Sequence, residues 1–329
     1  MKRSGLGKLI LGVLLLTAML GIANAGMADD VTTFDALKTA LTSPSSSELT
    51  IDIQDNITLE DEIKVSSSVT KLAIYLNGNT IDGNEIHPFL HFQGSCDLTL
   101  KNTRDDYAVS HYLDSNGNLD IDPSNMGVIQ NCFTDDEGAV INFEDKDNVK
   151  ITLQDIAFKH NVSDNGTGGG VVFVNGSNCT LTAIGCVFSE NANNWFNGGV
   201  VYLNNSSTCK ITCCEFSDNY GEESGGALYA NQDNKITISH CVFDNNEAGY
   251  DSGGAIIILD GSTLQVDHSI FLNNKAYSQG GAIYQGDSIF PDKIGTGILK
   301  IENCTFDSNA AVDSGGAIQT KDGSIIFSV

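Results

Sequence analysis

The chain has 329 residues, nine of them cysteine, and a formal net charge of −25 from 42 acidic and 17 basic residues. This balance excludes nucleic-acid binding by phosphate neutralisation, because that needs clustered lysine and arginine. The 34 glycines and 31 asparagines also argue against a mostly helical protein, and they leave a turn-rich, all-β chain whose 41% apolar content suffices for a core.

The first 25 residues are organised like a secretory signal peptide. A basic start at residues 2–8 precedes an apolar run over 9–23, and residues 23–25 form a small-x-small cleavage site. The run is shorter than the ~20 residues of a spanning helix, so an uncleaved membrane anchor is the weaker alternative. We therefore expect an exported protein that is secreted or held at the cell surface or cell outer membrane, where cysteine chemistry is oxidising.

Residues 26–48 are predicted to form an N-terminal cap. Phe34, Leu37 and Leu41 recur at helical spacing, and Thr33 suits the N-cap position of a short helix. Such a helix would cover the open apolar end of the fold behind it. Apolar residues alternate with polar ones from Leu49 onward, which predicts short strands with one buried face.

Residues 104–125 interrupt this alternation and are predicted to form a loop insertion. Alternating stretches resume after it and continue to the end of the chain. From about residue 156 to about 320 they are joined by two short motifs that repeat in phase, which is typical of a repeat protein.

One motif is Gly-Gly followed by a small and an aliphatic residue, and its first glycines lie 29, 27, 28, 27 and 35 residues apart. The other motif, Phe-x-x-Asn, precedes each Gly-Gly by 9 to 11 residues. The 35-residue step predicts a second loop insertion at 285–297. The repeated positions are Gly169, Gly198, Gly225, Gly253, Gly280, Gly315, Phe158, Phe188, Phe216, Phe243, Phe271, Phe306, Asn161, Asn191, Asn219, Asn246, Asn274 and Asn309.

Each repeat of about 28 residues is predicted to hold two or three short strands and cannot bury its own apolar face, so repeats must stack. Long helical stretches are absent and a propeller blade needs ~40–50 residues, which leaves a right-handed parallel β-helix over 49–329. Coils ~4.8 Å apart would place the phenylalanines in an interior ladder. The asparagines would take left-handed corner conformations and bond along the stack, with Gly-Gly at the opposite corner.

These tandem Gly-Gly-Ala-Ile and Phe-x-x-Asn motifs resemble those of the chlamydial-type polymorphic outer membrane protein repeat family. The resemblance covers about 156–320 and, more loosely, the residues before. It implies an exported, surface-displayed β-helix, often an autotransporter passenger and often an adhesin. The first two repeats depart from the family in reading Val-Val, and the sequence ends nine residues after Thr320 without the family's membrane barrel.

Cys186, Cys214, Cys241 and Cys304 lie two residues before a repeat phenylalanine, where other repeats carry isoleucine or serine. This pattern favours a ladder of free buried thiols, because parallel in-register Cβ vectors suit a disulfide poorly. Disulfides between coils are the main alternative, and a metal site is a remote one. Nine is odd, so at least one thiol is free or forms an inter-chain disulfide.

An extracellular polysaccharide lyase or glycoside hydrolase of the β-helix class is the main alternative function. Its best candidate residues, a weak set, are Arg104, Asp105 and Asp106 beside the first insertion, with Asp135 and Asp136 about 30 residues on. Aspartates are also ordinary loop residues. The six histidines show no metal or triad spacing, and no cofactor is predicted beyond weak Ca²⁺ binding by the Asp- and Asn-rich loops.

The sequence thus predicts an exported β-helix that binds a ligand at a host-cell or extracellular surface, in the manner of an adhesin. It predicts no nucleic-acid partner and does not identify the ligand. A structural envelope component, cross-linked through its cysteines, is a third reading.

Overall fold

The structure is a computed structural model that describes residues 29–287, 297–321 and 324–328. The predicted signal peptide over 1–25 lies outside the described residues, as does most of the predicted insertion at 285–297.

The chain begins its fold with a strand and a capping helix. Helix α1, Phe34–Thr42, follows the strand Asp29–Val31, and the Thr33 hydroxyl accepts a hydrogen bond from the Ala36 N–H at 3.3 Å. The helix buries its apolar face, which includes Leu37 and Leu41, against the first coil. The predicted short capping helix is therefore confirmed.

Beyond this helix the chain winds as a solenoid of four parallel sheets. The first two coils contribute a strand to three of the sheets, and the complete coils after them contribute one strand to each of the four. The first sheet contains Asp29–Val31, Glu48–Ile53, Lys71–Tyr75, Asp97–Lys101, Lys150–Gln154, Thr180–Ile184, Thr208–Thr212, Lys235–Ser239, Thr263–Asp267, Ile298–Glu302 and Ser324–Ser328. The second contains Ile57–Thr58, Thr80–Asp82, Gly127–Gln130, Ile156–Lys159, Val187–Ser189, Glu215–Ser217, Val242–Asp244, Ile270–Leu272 and Thr305–Asp307.

The third sheet contains Phe133–Thr134, Val162–Ser163, Ala192–Asn193, Tyr220–Gly221, Glu247–Ala248, Lys275–Ala276 and Ala310–Ala311. The fourth contains Ile63–Val65, Leu90–Phe92, Ile141–Phe143, Val172–Val174, Val201–Asn204, Leu228–Asn231, Ile256–Leu259, Ile283–Gly286 and Ile318–Thr320. The prediction of two or three strands per repeat was wrong, since a full repeat has four. The third-sheet strands have two residues each, too few to show an alternating pattern.

The repeat phenylalanines form one stack inside the solenoid. Neighbouring rings are nearly parallel, and their centroids lie 4.7 to 5.0 Å apart from Phe158 to Phe306. The in-register pairing of the strands sets this spacing, because equivalent residues of successive coils lie one above another.

The repeat asparagines form a buried hydrogen-bonded ladder at the turn that follows. The Nδ2 atom of Asn219 donates to Oδ1 of Asn246 at 2.9 Å and to the carbonyl of Phe188 at 3.0 Å. The left-handed residue at this turn is the one before each asparagine, for example Asp218 with φ of 57°. The expectation that the asparagines themselves take this conformation was wrong, because their amides are used by the ladder.

At the opposite turn, the first glycine of each Gly-Gly pair has positive φ, and the second approaches the next coil closely in every pair except the last. A Cβ on Gly199 would lie 2.2 Å from the carbonyl oxygen of Gly226. This contact explains why a glycine pair recurs at this turn.

The segment between Asn102 and Met126 leaves the coil and folds back along the turn between the first and second sheets. It contains two 3₁₀ helices, Val109–Tyr112 and Pro123–Asn125. The Tyr112 hydroxyl accepts a hydrogen bond from Gln154 Nε2 at 3.3 Å. Further along, residues 116–119 line a cavity of about 200 Å³ together with His240, His268 and Asn303. The insertion thus lies across several successive coils.

All nine cysteines are unpaired, eight of them buried and Cys304 half-buried. The Cys186 N–H points to Sγ of Cys214 at 3.4 Å, and the Cys214 N–H points to Sγ of Cys241 at the same distance. In the next coil, Oγ of Ser269 takes the place of the sulfur at 3.1 Å from the Cys241 nitrogen. The sulfurs of Cys214 and Cys241 therefore each face a backbone N–H of the neighbouring coil, in line with the predicted thiol ladder.

Candidate binding groove

A groove of about 400 Å³ opens where the third sheet turns into the fourth, near the N-terminal end of the solenoid. One wall is built from outward-facing residues of the fourth sheet. Lys64, His91 and Asn142 are register equivalents on three successive strands of that sheet. Glu62 precedes the first of these strands, and the opposite wall is the turn of residues 135–138.

The fourth-sheet wall carries a linked set of charges. The two carboxylate oxygens of Glu62 lie 3.0 Å from Nδ1 of His91 and 3.1 Å from Nζ of Lys64. The set includes a negative, a positive and a titratable group within one coil spacing of each other. It can therefore present donors and acceptors to a polar ligand.

Asn142 fixes the shape of the turn that forms the other wall. Its side chain is buried, its Nδ2 donates to the Glu137 carbonyl at 2.9 Å, and its Oδ1 accepts from the Glu144 N–H at 2.8 Å. Gly138 has φ of 60°. These constraints hold Asp136 and Glu137 facing the groove.

Asp136 and Glu137 share a hydrogen bond and titrate as a pair. Burial, followed by the hydrogen bond to Asp136 and repulsion from its charge, raises the pKa of Glu137 to about 7. The hydrogen bond from Glu137 lowers the pKa of Asp136, helped by the charges of His91 and Lys64. Glu137 Oε1 also accepts from the Thr167 hydroxyl at 3.2 Å. The pair therefore holds one shared proton below about pH 7 and loses it above that pH.

The structure separates the five candidate residues taken from the sequence into two groups. Asp135 and Asp136 line the groove. Arg104 instead pairs with the buried carboxylate of Asp52 and lies over the Tyr75 ring, with Cζ 4.6 Å from the ring centroid.

Asp106 pairs with Lys101, and Asp105 is exposed beside it. The partners Asp52, Tyr75 and Lys101 do not line the groove. Arg104 thus makes an ion pair and a ring contact on the surface of the first sheet, away from the groove.

Sequence reasoning missed Glu62, Lys64, His91 and Glu137. The run Asp135-Asp136-Glu137 was a usable signal, because three adjacent carboxyls cannot all ionise freely. The other three lie in coils that carry neither repeat motif. The sequence therefore did not show which residues of one coil lie beside which residues of the next.

Within 29–287, 297–321 and 324–328, no group of three or more His, Cys, Asp or Glu side chains is arranged to hold a metal ion. No helix in the same part of the chain is long and apolar enough to cross a membrane.

Comparison with protein-family models finds a match over residues 193–328, to the family described as "right handed beta helix region". The match agrees with the parallel four-sheet solenoid, and the predicted fold, a right-handed parallel β-helix, is confirmed. Neither the search of curated proteins nor that of solved structures gave a significant match.

Proposed function

We propose that this protein is an exported β-helix that is displayed at a bacterial cell surface and binds an external ligand through the groove beside Glu137, in the manner of an adhesin or autotransporter passenger. The observation that carries the proposal is the groove itself. It gathers Glu62, Lys64, His91, Asp136 and Glu137 at one place on the surface, whereas most of the repeat phenylalanines and most of the repeat asparagines are buried in the coil.

Two features of the sequence support export and display. The first 25 residues read as a secretory signal peptide. The Gly-Gly-Ala-Ile and Phe-x-x-Asn motifs resemble those of the polymorphic outer membrane proteins. N-terminal sequencing of the exported protein should give Gly26 as the first residue, and protease added to intact cells should degrade the protein. A full-length protein that stays inside the cell would contradict this part of the proposal.

The binding proposal is tested on immobilised protein from Gly26 onward, with collagen, fibronectin, laminin and a glycan array as probes. The groove variant is Asp136→Asn/Glu137→Gln, and the matched control is Asp105→Asn/Asp106→Asn, which removes two carboxylates beside Arg104. We expect any probe bound by the parent protein to lose at least tenfold in affinity with the groove variant only. Equal binding by the parent and the groove variant would overturn the proposal.

A second candidate function, polysaccharide cleavage, is favoured by the raised pKa of Glu137. A carboxyl that is half-protonated near pH 7 can act as general acid or base. Its hydrogen bond to Asp136 counts against the usual pair of glycosidase carboxyls, which lie ~5–9.5 Å apart. Incubation with neutral and acidic polysaccharides tests this reading. New reducing or unsaturated ends that disappear with Glu137→Gln would establish an enzyme, and no turnover would leave ligand binding.

A further inference from the structure

A row of five side chains, four of them exposed and one half-buried, runs along the turn between the third and fourth sheets, in coils beyond the groove. Backbone hydrogen bonds of 2.7 to 2.9 Å set its register, and they join in series Phe196, Glu223, Asp251, Ser278 and Asp313. The residues immediately before these therefore lie in a row of their own, one per coil: Trp195, Glu222, Tyr250, Tyr277 and Val312.

Four members of this row are large, apolar and open to solvent. The exposed fractions are 55% for Trp195, 65% for Tyr250, 60% for Tyr277 and 71% for Val312. The two tyrosine rings lie with centroids 6.5 Å apart and tilted by 56°. Single exposed apolar residues are ordinary, but Tyr250, Tyr277 and Val312 follow one another on successive coils, with Trp195 one coil beyond Glu222. Exposed apolar residues grouped in this way mark an interaction surface.

Carboxylates lie beside the apolar row and repel one another. Burial, followed by the charges of Asp251 and Glu222, raises the pKa of Glu223. Asp313 continues the acidic line and accepts from the Ser278 hydroxyl at 2.9 Å. A positive ligand would relieve this repulsion.

Few basic residues of the protein lie close enough to neutralise these carboxylates. In the described residues from 195 to 312, Lys210, Lys235 and Lys300 all lie on strands of the first sheet. Lys275 lies in the third sheet, where its Nζ pairs with Glu247 at 3.0 Å. The row thus combines unshielded negative charge with open aromatic faces.

We propose that this row is a second binding surface, separate from the groove, and that it takes an extended polypeptide segment rich in arginine or lysine. Guanidinium and ammonium groups bind both to aromatic faces and to carboxylates. Five coils at ~4.8 Å spacing give a surface of about 19 Å, which an extended chain at ~3.3 Å per residue covers with about six residues. Aromatic faces in the row and carboxylates beside it can thus be contacted by basic side chains of one extended segment.

Trp195 is the single tryptophan of the chain, so its fluorescence reports directly on ligand binding at the row. An eight-residue oligoarginine peptide titrated into the protein from Gly26 onward should give a saturable change in Trp195 emission that weakens as salt is raised. A neutral oligosaccharide of similar length, such as cellohexaose, is titrated in parallel and should give none.

The decisive variant is Tyr250→Ala/Tyr277→Ala, which leaves the net charge unchanged. We expect it to weaken oligoarginine binding by about tenfold, the value for two exposed cation–π contacts. Tyr107→Ala, a tyrosine outside the row, should change the affinity by less than twofold. Circular dichroism of each variant checks folding, and calorimetry of Trp195→Phe gives a second measurement of the row that needs no fluorescence, with a loss of affinity expected.

Three results would overturn the proposal. The first is equal affinity of the parent and the double tyrosine variant for the peptide, which would mean attraction by net charge alone. The second is that the peptide shows no saturable binding. The third is that the oligosaccharide binds more tightly than the peptide. None of these depends on the groove, so the test is independent of the function proposed for it.

Discussion

One oxygen of Asn219 serves two donors of Asn191 in the neighbouring coil. Both the backbone N–H and the side-chain Nδ2 of Asn191 donate to Oδ1 of Asn219 at 3.0 Å. The same relation recurs from Asn161 to Asn309, so each amide is at once acceptor for one coil and donor to the next. A break anywhere in the ladder leaves buried donors without partners.

Asn219→Ala should therefore destabilise the protein strongly. The substitution removes the acceptor for two buried N–H groups of Asn191 and one donor to the Phe188 carbonyl, and each unsatisfied buried group costs about 1–3 kcal/mol. We expect a loss of at least about 3 kcal/mol in urea unfolding followed by circular dichroism. Asn194→Ala, at an exposed position in the same coil as Asn191, is the control and should cost less than about 0.5 kcal/mol. Equal unfolding midpoints for the two variants would refute the ladder's role.

Two glycines of the same repeat position should respond differently to alanine. A Cβ at Gly199 meets the Gly226 carbonyl oxygen at 2.2 Å, whereas a Cβ at Gly316 meets nothing closer than the Asn309 oxygen at 3.5 Å. Gly199→Ala should force coils apart and cost several kcal/mol, while Gly316→Ala should be tolerated. Thermal melts of both variants test this, and a melting temperature for Gly199→Ala equal to that of the parent would be inconsistent with the packing.

The cysteines should resist modification in the folded protein. Burial is the main cause that raises the pKa of Cys96 and Cys213 to about 12, so these thiols stay protonated at pH 8. We expect a thiol reagent such as DTNB to react slowly and to report nine thiols only after denaturation. The half-buried Cys304 should react first, and Cys304→Ser should remove that fast phase. Disulfide-linked multimers on a non-reducing gel would instead support the cross-linked envelope component.

The Glu137 carboxyl should make stability fall as pH rises. Its pKa is about 7 in the folded protein against an ordinary value of 4.5, so between these values the folded state holds a proton that the unfolded state has lost. Stability from this source is full below pH 4.5 and lost above pH 7. The side chain is partly solvated, so we expect about 1 kcal/mol.

Glu137→Gln removes the titration and measures this effect directly. At pH 8 the variant should be more stable than the parent by about 1 kcal/mol, and at pH 4 the two should be equal. Glu60→Gln, at an exposed position, is the control and should show no such difference between the two pH values. A Glu137→Gln advantage that persists at pH 4 would show that the raised pKa is not its cause.

The repeats were readable because they solve one packing problem many times. Phe216 and Gly199 each have an equivalent residue in the coil on either side. The repeat period of the sequence alone therefore predicts that Phe216 lies in the interior and Gly199 at a turn. The strand Tyr220–Gly221 was missed because two residues cannot display a period.

The groove could not be predicted, for a physical reason. Lys64 and His91 are adjacent only because their coils stack in register, and those coils carry neither motif that would reveal the register. The role of Arg104 likewise depends on Asp52, which lies more than 50 residues earlier in the chain. The two side chains meet only because their coils stack on the same sheet.

The insertion between Asn102 and Met126 has a mechanical consequence. In a solenoid each coil contacts only its neighbours, so a pull on one end can peel coils away one at a time. This segment reaches from Gln154 to a cavity shared with His268, and so fastens to one another coils that are not adjacent. The insertion therefore links these coils mechanically. Unfolding that reaches them must break the contacts of the insertion, so the linked coils should detach together and not one at a time.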